Sequence, residues 1–326
     1  MSVQDHLREV LESNRDVFFS GEEIARKLGV SRNAVWKAAK ALQADGYPIE
    51  AVTNRGYRLP ENSDVLSESG VRRCLRGEAQ SLRLNVFGSV SSTNIVLREL
   101  ADRGEPEGAV AIAVSQTGGR GRRGRSFFSP PGTGAYVSIL LRPDLAAEDA
   151  TFITTASAVA VCEAVETVSG RPAQIKWVND VLLDGRKICG ILTEASFGME
   201  SGRVEYAVLG AGINVYTPEG DFPEEIRKVA GSVFDRPQPD AKNRLIAEYL
   251  SCFLPRYRAL GGVDTVSEYR RRSAVIGRRV AVRSAAGETP ALALGVDDRC
   301  RLLVRYENGA QEALSSGEIS VRLTDE

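Results

Sequence analysis

Ala109-Val-Ala-Ile-Ala-Val-Ser-Gln-Thr-Gly-Gly-Arg-Gly-Arg-Arg-Gly-Arg125 is the stretch on which the reading of this chain turns. Ala109 to Ser115 is an apolar run suited to a buried strand. The segment after it interleaves Arg120, Arg122, Arg123 and Arg125 with Gly118, Gly119, Gly121 and Gly124. Glycine lets backbone N–H groups close on an anion, and arginine supplies permanently charged forks for phosphate or carboxylate. Three readings compete: a nucleotide or acyl-phosphate loop, a nucleic-acid arm, and a solvated flexible loop. Gly119 to Ser126 scans as G-x-x-x-x-G-R-S, one residue from a P-loop. That motif needs a helix directly afterwards, to bring its N-terminus to the phosphates. The chain instead runs Phe127-Phe-Ser-Pro-Pro-Gly132, which cannot start a helix promptly, and the P-loop lysine is missing. The stretch is therefore an anion loop of another architecture, self-repelling and expected to be mobile until an anion neutralises it.

The flanks alternate strands and helices. Leu84 to Phe87 reads as a strand, and Ser91-Ser-Thr-Asn94 opens a helix carrying Ile95, Leu97 and Leu100 that stops at Gly104. Four polar residues exceed what capping needs, so capping and ligand-facing readings stand level. Downstream, Ala135 to Leu141 is a strand, Ala147 to Val168 a long apolar helix, and Gln174 to Asp180 a strand entering a turn. Val181 to Leu183 and Lys187 to Thr193 form a hairpin around Asp184-Gly185. Lys187, at the mouth of an apolar strand, either faces a cleft as an electrophile or lies on the surface, the commoner case. Ala207 to Asn214 is a buried strand whose Gly210 and Gly212 permit close approach of a flat ligand. The amide of Asn214 suits a purine edge.

Towards the N-terminus, Leu7, Val10 and Leu11 mark a helix over residues 5 to 13. Ser20-Gly-Glu-Glu23 is a capping-box pattern before a short helix with Ile24, Ala25 and Leu28 inward. After a turn at Gly29, Ser31 caps a second helix that buries Ala34, Val35, Ala38 and Leu42 and ends at Gly46. This is a helix-turn-helix, followed by a hairpin from Ile49 to Thr53 and Gly56 to Leu59. Arg32, Asn33, Lys37 and Lys40 form the polar side of the second helix, and Arg55 and Arg58 a basic wing. Arginine and asparagine read base edges, and lysine finds phosphate. A plain helical domain with a solvated charged face is the alternative, favoured by the near balance of charge over the first sixty positions. The order of cap, glycine turn, Ser-Arg start, basic helix and hairpin outweighs it. A single small domain of this kind binds weakly, and dimerisation onto two half-sites is the usual remedy.

Pro60 to Leu66 is a polar break, and from Arg272 short runs alternate with turns: Arg279 to Arg283, Ala291 to Val296, Arg301 to Tyr306, Gln311 to Leu314 and Gly317 to Arg322. These suggest a small β-barrel. The domains are therefore expected at 1–62, 66–271 and 272–326.

Composition narrows the function classes. With 326 residues, two or three domains are expected. Apolar residues make up 43% and charged residues 26%, as in globular proteins. Formal net charge is -1, so nucleic-acid binding must come from a local patch. Five scattered cysteines lack metal-ligand spacing and read as reduced, buried thiols. The polar start and the lack of a spanning apolar run imply a cytoplasmic protein with no membrane association. His6 is the only histidine, which excludes histidine triads and histidine metal clusters; no metal ligands are expected.

Ser92-Thr-Asn94, Gln116 with GRGRRG, KW-x-ND at Lys176 to Asp180, RK-x-x-GIL from Arg186 and G-x-GIN ending at Asn214 occur in that order. Together with the N-terminal domain they resemble the bifunctional biotin–protein ligase and biotin-operon repressor family over essentially the whole chain. The resemblance implies an α+β multidomain fold: a winged helix-turn-helix, a mixed α/β ligase domain like class II aminoacyl-tRNA synthetases, and an SH3-like barrel. It implies formation of biotinyl-5′-adenylate from biotin and ATP with Mg2+, then transfer to a lysine of a biotin carboxyl carrier domain. It further implies a biotin-responsive repressor that binds operator DNA as a ligand-promoted homodimer.

By the same resemblance, Ser92, Thr93, Asn94 and Gln116 hold the ureido end of biotin. Arg120, Gly121 and Arg122 wrap the acyl phosphate, and Lys187 lies beside the carboxylate and α-phosphate. Asn179, Asn214 and Phe127 face the adenylate, with Lys176 and Asp180 close by. Arg122, Lys187, Lys176 and Asp180 are the catalytic candidates, and Ser31 joins the DNA-binding set. Arg322 either reaches the adenylate or lies on the surface. Val178 stands where the family commonly has proline, and Phe127 where tryptophan is common; both put adenylate contacts in question. A repressor that senses biotin without catalysis would not need the ATP-phosphate apparatus of Arg120, Arg122 and Lys187. A lipoate- or octanoate-transferring relative would not need so polar a pocket.

Overall fold

The structure is a computed structural model and describes residues 2–44, 46–198, 200–284, 287–315 and 320–323. The backbone divides into two compact units, Met1–Cys74 with Arg236–Arg244, and Leu75–Asp235 with Leu245–Glu326.

In the first unit, helices α1 (Val3–Ser13), α2 (Gly21–Leu28) and α3 (Arg32–Ala44) precede a hairpin of β1 (Glu50–Val52) and β2 (Gly56–Arg58), then α4 (Glu68–Cys74). The apolar stripes of α1 to α3 meet in one core with Leu7, Leu11, Ile24, Val35 and Leu42 each at most 1% exposed. Gly29, in the left-handed region, ends α2 by donating to Ala25 and Arg26 carbonyls. Ser20 caps α2 through Glu23 N–H at 3.0 Å, and Ser31 caps α3 through Ala34 N–H at 3.2 Å. The reciprocal capping box lies at Ser2 and Asp5 on α1, which the sequence reading did not single out. Ala39 is buried on α3 where Ala34 was expected; Ala34 is half-buried.

The polar break is tied down by its polar groups. Ser63 O accepts from Arg15 Nη1 at 2.9 Å, and Ser67 N–H donates to Asn243 Oδ1 at 3.0 Å. Asp240 pairs with Arg15 and Arg73, both at 2.8 Å. Residues 236–244 therefore complete a unit that the sequence reading ended at residue 62.

Gly56 has φ +98°, and a Cβ there would stand 2.0 Å from the Phe19 carbonyl oxygen. Gly56→Ala is expected to cost roughly 2 kcal/mol or more, from backbone strain and this backbone clash. Hydrogen exchange should show lost amide protection in α1 to α3; protection equal to wild type would contradict the account.

The second unit is built on a seven-stranded sheet. Its strands are β3 (Arg83–Val90), β4 (Ala109–Gln116), β5 (Gly134–Leu141), β6 (Gln174–Lys176), β7 (Asp180–Leu183), β8 (Arg186–Phe197) and β9 (Val204–Asn214), in the order β3-β4-β5-β9-β8-β7-β6. Only β3 and β4 pair in parallel. β5 is buried at every position, which its continuous apolar run permits. Asp184 (φ 49°) and Gly185 (φ 76°) form the tight turn between β7 and β8.

Helix α5 (Thr93–Asp102) packs Leu97 and Ala101 on the sheet against Ala109, Leu140 and Val208. Helix α6 (Thr151–Ser169) corrects one expectation. With its preceding turn, Ala147–Ser169 is long and apolar enough to cross a membrane, but it is mostly buried and packs on β8. It is a core helix, apolar because it is enclosed. The short helix α7 (Glu224–Arg227) and α8 (Ala241–Arg258) follow; Tyr249, Phe253 and Tyr257 of α8 stack at 6.0 and 5.8 Å.

Helix α9 (Val263–Arg271) leads to β10 (Arg279–Ser284), β11 (Gly287–Val296), β12 (Leu302–Tyr306), β13 (Gln311–Leu314) and β14 (Ser320–Leu323). They form an antiparallel sheet ordered β13-β12-β11-β10-β14. Residues 317–319 and the side chain of Arg322 lie outside the described residues. Trp177 Nε1–H donates to Cys300 O at 3.0 Å, joining this sheet to the turn after β6. Cys162, Cys189 and Cys300 are buried as expected, and burial pushes the Cys162 thiol up to about 12. Cys74 and Cys252 are half-buried.

Candidate functional site

The N-terminus of α5, the end of β4 and the middle of β5, β8 and β9 meet around one polar cluster. Ser92, Thr93 and Asn94 are 3–4% exposed. Gln116 Oε1 accepts from Thr93 N–H at 2.9 Å, and its Nε2 donates to Ser129 Oγ at 3.0 Å. Asn94 Nδ2 donates to Glu194 Oε2 at 2.8 Å. Ser138 Oγ donates to Asn94 Oδ1 at 2.6 Å and lies 2.7 Å from Thr93 Oγ1. Side chains so bonded hold fixed rotamers, which preorganises the cluster for a polar ligand.

Ser92, Thr93, Asn94 and Gln116 line a 30 Å³ cavity with Arg120, Phe127, Tyr136, Leu192 and Gly210 to Gly212, and Ser129, Ser138 and Glu194 support it from behind that lining. Ser138, Tyr136, Leu192 and Glu194 were not singled out from sequence. Ser138 had a signal, being the one hydroxyl within the apolar run Ala135 to Leu141 apart from the Tyr136 phenol. Two glycines of β9 lie close under side chains of this site. A Cβ on Gly212 would stand 2.6 Å from the Phe127 ring, and one on Gly210 would stand 2.2 Å from Asn94 Oδ1. The Phe127 ring thus packs directly on β9 at Gly212. A larger cavity of 270 Å³ shares no lining residue with this one, and its charges are paired: Arg258 with Glu107 at 2.8 Å and with Glu78 at 3.3 Å.

The arginine–glycine loop folds back on itself. Gly121 N–H donates to Arg125 O at 2.7 Å and Phe127 N–H to Gly119 O at 2.9 Å. No α-helix follows before β5, so the loop lacks the helix that a P-loop requires. Arg123 takes φ +60°, an uncommon conformation outside glycine. Arg120 reaches Glu194 at 3.3 Å, and Arg122 Nη1 donates to Asn179 Oδ1 at 3.1 Å. Burial is the main influence on the Arg122 guanidinium and depresses its pKa.

The β7–β8 hairpin brings the remaining candidates together. Lys187 Nζ lies 2.6 Å from Asp180 Oδ1, and Lys176 is the register partner of Asp180 across β6 and β7. Burial, with the Lys187 and Arg125 cations, lowers the Lys176 pKa against the opposing pull of Asp180. Asn179 Nδ2 donates to Ile191 O at 2.9 Å, and Asn214 Nδ2 to Gly231 O at 3.0 Å. The amide donor of Asn214 is thus engaged with backbone, and Asn214 does not line the cavity. The Trp177–Val178 peptide is cis, and Val178 O accepts from Tyr269 Oη at 3.0 Å.

The nucleic-acid candidates lie in the first unit. Arg32, Asn33, Lys37 and Lys40 are exposed along one side of α3, behind the Ser31 cap. Arg55 stacks on Phe18 at 4.1 Å. Arg58 departs from a free wing cation: it pairs with Glu50 at 2.5 Å and Asp16 at 2.9 Å. The register of β1 and β2 sets Glu50 directly opposite it.

Comparison with known proteins bears on all three regions. Residues 3–58 match the HTH domain family, 86–214 the biotin/lipoate A/B protein ligase family, and 275–322 the biotin protein ligase C terminal domain. The bifunctional ligase/repressor BirA of Bacillus subtilis is 35% identical over 97% of this chain and 98% of its own. That of Escherichia coli is 29% identical over 94% and 93%. The biotin protein ligase from Aquifex aeolicus, solved in complex with biotin and ATP, superposes with a TM-score of 0.62 at 25% identity, covering 74% of this chain and 99% of that one.

Proposed function

This chain belongs to the family of bifunctional biotin–protein ligases and biotin-operon repressors, and on that premise we propose how its residues divide the work. The chain is a ligase that uses biotin and ATP, and a repressor with an N-terminal helix-turn-helix domain. The carrying observation is the juxtaposition of the buried Ser92–Asn94 cluster and half-buried Gln116 with Arg120 and, through Phe127, with the Gly190 position beside Lys187.

Ser92, Thr93, Asn94 and Gln116, with Ser138 behind them, orient the ureido ring of biotin. The Phe127 ring yields when the ligand enters, since 30 Å³ is far below the roughly 300 Å³ or more of pockets that hold small molecules. A biotin carboxylate oxygen attacks the α-phosphorus of ATP, and pyrophosphate leaves with the electron pair of the broken P–O bond. Arg122 and Lys187 supply fixed cations where this charge gathers. Asp180 and Asn179 hold those cations in place, and Lys176 adds positive potential. The carrier lysine amine then attacks the acyl carbonyl, forming the amide and expelling AMP. Gly121 allows the loop backbone to approach the acyl phosphate.

Phe127 and Asn179 border the adenylate, and Asn214 fixes the Gly231 backbone beside it. Magnesium enters with the nucleotide and neutralises its phosphates. The central sheet is read as class II synthetase-like and the C-terminal sheet as an SH3-like barrel, with functional domains at 1–62, 66–271 and 272–326. The carrier domain of a biotin-dependent carboxylase and operator DNA are the partners. The protein works in the cytoplasm, without a membrane, as a ligand-promoted homodimer.

Incubation with labelled ATP, biotin and a carrier domain tests the division. Labelled adenylate and then a labelled carrier lysine are expected. Deleting residues 1–62 should abolish operator binding while ligation stays measurable. Operator binding that survives the deletion would refute the role given to the first unit.

A further inference from the structure

Trp36 has 51% of its surface exposed on the polar side of α3. The chain has two tryptophans, and the other, Trp177, is 4% exposed. The core does not require the Trp36 ring, because Val35, Ala38, Ala39 and Leu42 form the buried face of the same helix. Helical spacing sets Trp36 among the exposed Arg32, Asn33, Lys37 and Lys40. No acidic residue occurs in α3, so on that helix a large apolar surface sits among three cations and one neutral amide. An apolar protein groove would strand those cations, whereas duplex DNA satisfies them with phosphates.

In a helix-turn-helix the first turns of the second helix lie along base edges in the major groove. Arg32 and Asn33 occupy the first turn, and Trp36 follows one turn later. The apolar group a base pair offers there is the thymine 5-methyl. We propose that Trp36 is a sequence-reading residue that packs its indole on a thymine methyl, while Lys37 and Lys40 hold phosphates. The inference rests on the DNA-binding reading of this domain and deepens it. Packing of ring on methyl removes both from water and discriminates thymine from the other bases.

Selection from a random-sequence duplex pool by the full chain, with biotin and ATP present, tests the assignment. Wild type is expected to enrich a motif with an invariant thymine in each half-site. Replacing that thymine by uracil, which removes only the methyl, should weaken wild-type binding about 3- to 5-fold, the worth of one buried methyl group. W36A should lose the preference at that position and ignore the uracil change, and W36F should keep part of both. A wild-type motif without an invariant thymine, or W36A enriching the same thymine with wild-type uracil sensitivity, overturns the assignment. A wild type that enriches no motif overturns the DNA-binding reading itself.

Discussion

Lys187→Ala is expected to slow biotinyl-adenylate formation by about 10²–10³-fold, the usual loss when one fixed electrostatic stabiliser is removed. The Lys187 ammonium lies 2.6 Å from Asp180. Alanine removes the cation and leaves the Asp180 carboxylate unopposed where, on the proposed division of roles, a carboxylate and a phosphate meet. Both changes raise the barrier more than they weaken biotin binding, because the ureido cluster at Ser92 to Asn94 is untouched. Lys187→Arg should recover part of the rate, since charge is kept and only the fit to Asp180 changes. Pyrophosphate release at saturating biotin and ATP is the measurement. A rate within about threefold of wild type would remove Lys187 from the chemistry.

Arg122→Gly is expected to release the adenylate about 10- to 100-fold faster, the range for losing one charge-assisted hydrogen bond. Its guanidinium donates to Asn179 at 3.1 Å, and burial works against its charge. On the proposed placement the anionic phosphate of the mixed anhydride offsets that penalty, so the side chain is expected to hold the intermediate more firmly than it holds biotin. Free adenylate acylates exposed amines, so bystander lysines on unrelated protein should become labelled. Stopped-flow dissociation and labelling of a non-carrier protein read the two effects. Loss of biotin binding without released adenylate would contradict the clamp.

Much of the fold was legible because short-range rules govern it. The helices of the first unit follow from apolar spacing, serine caps and the left-handed Gly29. The β7–β8 hairpin follows from Asp184-Gly185, and the absence of an α-helix after the arginine loop from Pro130-Pro131. The long apolar helix was placed within a few residues, but its membrane-like composition makes sense only when its buried surroundings are seen.

The site was legible in part. Motif order named the polar cluster, the arginine loop and the Lys187 hairpin. It did not reveal Ser138 and Glu194, which bond Asn94 from β5 and β8. Nor did it show that Arg58 is committed to Glu50 and Asp16.

The sequence alone determined local conformation and the kinds of chemistry available: where the chain turns, which faces are apolar, and that its arginine–glycine loop is no P-loop. Tertiary structure decided what each group touches. It drew residues 236–244 into the first unit, laid Phe127 over Gly212, and set Lys187 against Asp180. The reason is physical. Spacing along the chain fixes neighbours within a helix, a strand or a tight hairpin, but contacts between elements distant in the chain depend on the order of strands in the sheet, which no local pattern encodes. The stretch from Ala109 to Arg125 shows both limits. Its strand and the cationic, glycine-rich character of its loop are written in its residues, and the partners of Arg120 and Arg122 come from β8 and the turn before β7.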